Sequence, residues 1–347
     1  MSKLRSLLVG TGGWAESHAK AYKICSGVEL VGVCGHRNIE RLNHLADSFA
    51  IPNRSTDLDD LIVETRPDIL DVACNPKLRL DAVRAALVPS IKLINLEKPL
   101  ALSAGDAYEI ERLCTEHDKL LTVNHQTMLL PAWKKARKSV ADGRIGDLRL
   151  IRSSCQGNLL EQGTHLVDAA ISFAGSGAVR WVMGQVDELE GFDKESAAAP
   201  DAGIAEVCFE NGVHAFFDFG SVGESIPGSA SKWYNFFTEI YGSEGHVRVT
   251  LNNTLETVIY DDGRAEVEES SWDSHHIRAQ AEHLNAAARY VENPAEGHIS
   301  DLQNSMESFN IIMAIYASAL GEGRVTFPRR FPSDLVERLR NARRLRE

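Results

Sequence analysis

Apolar positions in the first third of the chain come in short runs separated by amphipathic stretches, a pattern that predicts strands and helices in turn. Leu4-Arg5-Ser6-Leu7-Leu8-Val9 reads as a strand running into a glycine turn. Positions 14–24 follow as a helix, with Ala15, Ala19 and Tyr22 on one face and Glu16, Lys20 and Lys23 on another. Segments 28–34, 69–74, 92–96 and 120–124 are nearly continuous apolar runs, as buried parallel strands require. Helical patterns lie between and after them, over 39–49 (stripe Ile39, Leu42, Leu45, Ala46, Phe49), 57–64, 77–87, 103–117 and 131–142. The alternation predicts a doubly wound parallel sheet with right-handed crossovers, whose ligands sit at the carboxyl ends of the strands.

From Asp147 the periodicity changes. Segments 148–154, 180–190, 205–209, 213–219, 233–241, 246–251 and 254–260 are strand-like, with hairpin signals at Glu210-Asn211-Gly212 and Asp261-Asp262-Gly263. One helical insertion, near Glu161 to Asp168, interrupts them. Helices are expected over 273–291 and 300–320, the second with Met306, Phe309, Ile312, Met313 and Tyr316 as a core stripe. His275, His276 and His283 read as surface or capping groups. The basic tail 329–347, with Arg338, Arg340, Arg343, Arg344 and Arg346, reads as a further helix. The expected architecture is α/β: a Rossmann-type domain over 1–125, then an α+β domain over 126–347 with a largely antiparallel open sheet.

Composition narrows the partners. Apolar residues make up 44% and charged residues 25%, the balance of a soluble globular protein. A net charge of -12 argues against nucleic acid or an anionic membrane as the main partner. No apolar run approaches the ~18 residues of a membrane span, and Met1 to Arg5 runs straight into the first strand, leaving no room for a signal peptide. The six cysteines are scattered without a C-x-x-C pair, so a reducing compartment, the cytoplasm, is the expected location.

Four stretches carry candidate chemistry. Gly10, Gly12 and Ala15 form G-x-G-x-x-A between strand and helix, the spacing that lays a backbone and a helix N-terminus against a pyrophosphate. Twenty residues beyond, the chain reads Gly35-His36-Arg37. No carboxylate is there to repel a 2′-phosphate and a guanidinium is available to bind one, so NADP is expected in preference to NAD. Glu97-Lys98-Pro99 follows a buried strand directly. Glu161, His165 and Asp168, taken as one helix, share a face at i, i+4 and i+7. Histidine suits transfer of a hydroxyl proton, a carboxylate one turn away can orient the imidazole, and an ammonium such as Lys98 would favour an alkoxide-like oxygen. No further ligands at metal spacing accompany these residues, and no metal is expected.

Val9-Gly10-Thr11-Gly12-Gly13-Trp14-Ala15, Asn75-Pro76, Glu97-Lys98-Pro99-Leu100 and Glu161-Gln162-Gly163-Thr164-His165-Leu166-Val167-Asp168 occur in this order. Together they resemble the glucose-fructose oxidoreductase / inositol 2-dehydrogenase / rhizopine-catabolism family of NAD(P)-dependent oxidoreductases. The resemblance implies hydride transfer between nicotinamide and a hydroxyl or ketone of a sugar, cyclitol or related polyol. It implies Lys98, His165, Glu161 and Asp168 as catalytic residues. Cofactor contacts are implied for Gly10, Gly12, Gly13, Trp14, Ala15, Gly35, His36, Arg37, Cys74, Asn75, Glu97, Lys98, Asn124 and Gln126. A homo-oligomer built through the C-terminal sheet is implied as well. The chain departs from the family pattern at Glu161, where aspartate is usual, at Met128, where many relatives carry arginine, and at Leu80, where many carry histidine. Two other readings share the architecture: NAD-dependent glycoside cleavage by transient oxidation, and a nucleotide-binding regulator without catalysis.

Overall fold

The structure, a computed structural model, describes residues 3–175, 177–187, 190–191, 198–252, 254–261 and 263–343. The chain begins β1 (Leu4–Val9), α1 (Gly13–Tyr22), β2 (Val28–Cys34), α2 (Ile39–Phe49), β3 (Asn53–Ser55) and α3 (Leu58–Thr65). It continues β4 (Ile69–Val72), α4 (Arg79–Ala85), β5 (Leu93–Glu97), α5 (Ala104–Glu116) and β6 (Leu120–Asn124). Then come α6 (Pro131–Ala141), β7 (Leu148–Cys155), α7 (Thr164–Ala174), β8 (Val179–Asp187), β9 (Ala202–Phe209) and β10 (His214–Gly220). The last elements are β11 (Phe236–Gly242), β12 (Gly245–Thr250), β13 (Leu255–Ile259), β14 (Ala265–Glu268), α8 (Trp272–Glu292), α9 (Leu302–Ala317), β15 (Val325–Thr326) and α10 (Leu335–Arg343). Arg344 and Arg346 of the expected basic helix lie outside the described residues.

Two compact units form: 1–101 with 106–129 and 276–306, and 102–105 with 130–275 and 307–347. The sequence reading divided the chain once, at 125/126. Residues 276–306 instead pack with the first unit, because an amphipathic stripe reports that a helix is buried but not against which sheet.

The first unit holds a parallel sheet in the order β3-β2-β1-β4-β5-β6. The chain turns back at β1/β4, so the carboxyl ends of these strands flank the crevice where doubly wound folds take their ligand. Ala281, Leu284, Ala287 and Ala288 of α8 share a core with Ala21 and Tyr22 of α1, Cys25, Val28, Ile69 and Leu93. Beyond α8 the chain runs along β6, where the Val123 amide donates to the Ser300 carbonyl at 2.9 Å. The face of the sheet beneath α1 and α8 is not wholly apolar. Asp71, Asn95 and Thr122 stand opposite one another on β4, β5 and β6, and Glu97 stands opposite Asn124 one pleat further on. His283, expected at the surface, is buried over this row, and its Nε2 lies 2.8 Å from the Asn95 Oδ1.

The second unit is built on a mixed, mostly antiparallel sheet in the order β14-β13-β12-β11-β7-β10-β9-β8-β15, with β7 and β10 its parallel pair. Trp133 of α6 is buried against Phe173 of α7 and Phe236 of β11, ring centroids 6.4 and 5.7 Å away, and its indole N–H donates to the Thr250 carbonyl at 3.0 Å. The opposite face leaves Met183, Ile204 and Phe216 exposed. Edge strands β14 and β15 escaped the sequence reading, since β14 is exposed along its length and β15 has only two residues.

Candidate dinucleotide site and candidate catalytic residues

The glycine turn has the geometry its spacing predicts. Gly10 has φ +128°, and a Cβ there would collide with the Ala73 carbonyl oxygen after β4, so both conformation and close approach demand glycine. Gly12 caps α1, and a Cβ on Gly12 or Gly13 would meet nothing within 4 Å. Ala15 is fully buried, which lets α1 sit close on the sheet. The first-turn amides of α1 therefore have no intrahelical acceptor and border open space, an arrangement suited to a pyrophosphate. Trp14 beside them is exposed.

At the end of β2, Gly35 is buried and its amide donates to the Ser55 carbonyl at 3.0 Å, while His36 and Arg37 are exposed. Asn38 caps α2, accepting from the Arg41 amide at 2.8 Å, so Arg37 lies ahead of the helix rather than on it. After β4, Asn75 is exposed and its Oδ1 caps the short turn Pro76–Leu78. Cys74 beside it is half-buried, and Gln126 is buried in the turn Gln126–Leu129 after β6.

Glu97-Lys98-Pro99 closes β5 and is held from two sides. The buried Arg79 guanidinium donates to the Lys98 carbonyl at 3.0 Å and to the Pro99 carbonyl. Burial draws the pKa of Arg79 down to about 10 against the pull of the Glu97 charge, so it remains cationic at neutral pH. From beneath, the Glu97 carboxylate is 2.9 Å from the His18 Nε2 and also accepts from the Asn124 amide. The His18 Nδ1 is 2.8 Å from Asp71 Oδ2, which also accepts from the Tyr22 hydroxyl at 2.8 Å. Asn95 Nδ2 donates to the other Asp71 oxygen at 2.8 Å.

Burial alone would drive the His18 imidazole neutral, but the charges and hydrogen bonds of Asp71 and Glu97 outweigh it and push its pKa up to about 10. Burial likewise opposes ionisation of Glu97, yet the hydrogen bond and charge of His18, then Lys98 and Asn124, hold its carboxyl below the usual range. His283, in the same network, is held neutral by burial and by His298, His18 and His125.

His18 and Asp71 were missed by the sequence reading. The signal was present: His18 shares the helix face of Ala15 and Tyr22, and Asp71, Asn95, Glu97, Thr122 and Asn124 are polar residues inside apolar strand runs. Asn124, expected to contact cofactor, is fully buried and its amide is spent on Glu97 and on Gln280, 2.7 Å away.

In the second unit, Asn158 caps a π-helical turn Leu159–Gly163, its Oδ1 accepting from the Leu160 and Glu161 amides at 3.0 and 2.8 Å. The Glu161 carboxylate folds back to the Asn158 amide at 3.5 Å. The helix α7 begins only at Thr164, so Glu161 does not continue the α-helical register of His165 and Asp168, and the shared face expected from i, i+4, i+7 spacing is broken by the wider turn. His165 and Asp168 are both buried on α7, the imidazole edge-on to Phe236 with centroids 6.3 Å apart. Gly163 owes its size to packing, since a Cβ there would lie 2.8 Å from the Leu159 side chain. Among the described residues no cluster of three or more His, Cys, Asp or Glu is arranged to hold a metal ion.

Residues 4–125 match the sequence pattern of the oxidoreductase family with an NAD-binding Rossmann fold. Over 267 residues, 74% of this chain and 76% of the relative, the sequence is 22% identical to D-apiose dehydrogenase of Rhizobium rhizogenes. The fold is similar to that of levoglucosan dehydrogenase in complex with NADH and levoglucosan, with TM-score 0.79 and 18% identity over 94% of this chain and 100% of that one. It is also similar to an inositol dehydrogenase homologue of Azotobacter vinelandii complexed with NADH and myo-inositol, with TM-score 0.76 and 15% identity over 94% and 98% of the two chains. No described helix is long and apolar enough to cross a membrane.

Proposed function

We propose that this member of the glucose-fructose oxidoreductase / inositol 2-dehydrogenase / rhizopine-catabolism family is a nicotinamide-dependent dehydrogenase acting on a hydroxyl or ketone of a sugar, cyclitol or related polyol. The observation that carries it is an open glycine turn at the N-terminus of α1 in the same sheet that fixes Glu97-Lys98-Pro99 at the carboxyl end of β5. D-apiose, levoglucosan and myo-inositol, named for the relative and the structural neighbours, support this substrate class.

Nicotinamide, when bound, would supply the hydride acceptor or donor. Gly12, Gly13 and the first turn of α1 hold the pyrophosphate, and Ala15 keeps the helix close. Lys98 supplies a positive charge to the substrate oxygen as it gains alkoxide character. His165 takes the hydroxyl proton, and Asp168, one turn along α7, orients the imidazole. Glu161, committed to its cap, has a positioning part rather than a direct one. Arg37, exposed beyond β2 with no carboxylate beside it in the sequence, favours a 2′-phosphate, which makes NADP the preferred form.

Titration with NADPH and NADH, followed by nicotinamide fluorescence, tests the cofactor reading. NADPH should bind more tightly, and Arg37→Ala should remove that preference; equal binding untouched by the mutation would limit Arg37 to the loop. A screen of aldoses, anhydrosugars and inositols with either cofactor then tests the reaction. His165→Ala and Lys98→Met should each lower kcat by about 100-fold or more. Turnover indifferent to both would remove them from the mechanism. The open face of the second sheet is assigned to self-association, with a homo-oligomer as the expected state in solution.

A further inference from the structure

We propose that His18 is a positioning residue: clamped between Asp71 and Glu97, its imidazolium fixes the carboxylate at the base of the Glu97-Lys98-Pro99 turn and so holds Lys98 in place. The proposal rests on the role given to Lys98 above. Nothing in the glycine motif asks for a histidine at this position.

The charge state follows from hydrogen-bond chemistry. Both ring nitrogens of His18 face carboxylate oxygens, at 2.8 and 2.9 Å. A neutral imidazole could donate to only one of them. The same Glu97 oxygen also accepts from the Asn124 amide, which lies 3.2 Å from Nε2 as well, and the Asp71 oxygen accepts from the Tyr22 hydroxyl; donors converging on both oxygens favour the ionised carboxylates. With a carboxylate oxygen closer to each ring nitrogen than any donor, the arrangement favours a doubly donating cation between Asp71 and Glu97.

The placement of Lys98 follows from the same contacts. Glu97 is the last residue of β5, and its side chain is buried. Without the imidazolium, two carboxylates would be left buried on one sheet face with no cation between them. One would take up a proton or move, and the backbone that bears Lys98 would move with Glu97. Arg79 grips the Lys98 and Pro99 carbonyls from outside, so His18 supplies the second of two clamps on the turn.

The test compares wild type, His18→Gln and the double variant His18→Gln/Asp71→Asn, which removes the surplus negative charge. Amide hydrogen exchange should accelerate about tenfold or more in the peptide covering 93–100 of His18→Gln, with peptides of the second unit unchanged. With a sugar or polyol from the screen, kcat should fall about tenfold or more while KM and the NADH Kd stay within about threefold, and the double variant should regain much of the loss. Unchanged exchange at 93–100 overturns the proposal. So does acceleration spread evenly through the chain, or an equal loss of kcat in single and double variants. Should His18→Gln accumulate unfolded, the double variant carries the exchange readout: with the surplus charge relieved but the clamp still missing, a smaller acceleration confined to 93–100 is expected, and none overturns the proposal. If wild type turns over no sugar or polyol, the dehydrogenase reading fails, and the exchange measurement still decides whether His18 holds the turn.

Discussion

Each sheet carries a row rich in polar side chains across neighbouring strands, and the two rows differ in how far they are taken out of water. In the first unit Asp71, Asn95 and Thr122 lie under α1 and α8 at 0% exposure, joined to His18 and Glu97 in a closed hydrogen-bond network. In the second unit Glu206, Phe216, Arg152, Glu239 and Arg248 stand in register across β9, β10, β7, β11 and β12 on the open face. Arg152 reaches Glu224 at 2.6 Å and Glu239 at 3.5 Å, and Arg248 reaches Glu239 at 3.1 Å. Met183, Ile204 and Phe216 on this face remain 45%, 56% and 41% exposed. Similar residue chemistry does two jobs. Out of water, each charge must have its partner in a fixed place, so the row dictates local geometry. Toward water, the half-exposed pairs such as Arg152–Glu224 are weakly coupled, with Glu239 the buried member of the row, and the exposed part of the face keeps its freedom to meet another surface.

The sharpest way to break this contrast is Asp71→Ala. It leaves the His18 cation, the Tyr22 hydroxyl and the Asn95 amide without their common acceptor, and should cost about 3–5 kcal/mol in urea unfolding. A cost below about 1 kcal/mol would place the buried row on the same footing as the open one.

Next in size is a pH effect. The folded pKa of His18, about 10, lies above the unfolded value near 6.5, so the protein binds a proton more tightly when folded. That stabilisation is complete below about 6.5 and is lost as pH rises through about 10. The melting temperature of wild type should therefore fall between these limits more steeply than that of His18→Gln. Parallel curves would assign the decline to other groups.

Association comes third. Ile204→Glu should shift the protein toward monomer in sedimentation velocity, with little change in the melting temperature of the monomer; an unchanged sedimentation coefficient would remove this face from the interface. The smallest effect is expected for Arg152→Ala, which should change stability by less than about 1 kcal/mol and lose even that in high salt.

Much of the frame was legible in the residue pattern because it rests on local rules. Short, largely apolar runs named the parallel strands, and Leu120–Asn124 was bounded as observed. Gly10, Gly12 and Ala15 announced the turn, since each meets a local need for conformation, space or packing. The site was less legible wherever its meaning lay between distant segments. His18 looked like an unremarked helix position until Asp71 and Glu97, 53 and 79 residues away in sequence, arrived on either side of it. His283 looked like a surface group because nothing in its helix tells that Asn95 will accept a hydrogen bond from it.

The sequence by itself determined the two kinds of sheet, the glycine turn at the head of α1 and the charged triplet after β5, because strand periodicity, glycine conformation and chain adjacency are properties of short segments. Only the tertiary structure decided that α8 returns to the first sheet, that Glu161 caps a π-turn instead of extending α7, and that Asn124 serves Glu97. Those outcomes depend on which buried charge finds which partner, and that is settled by packing between segments far apart in the chain.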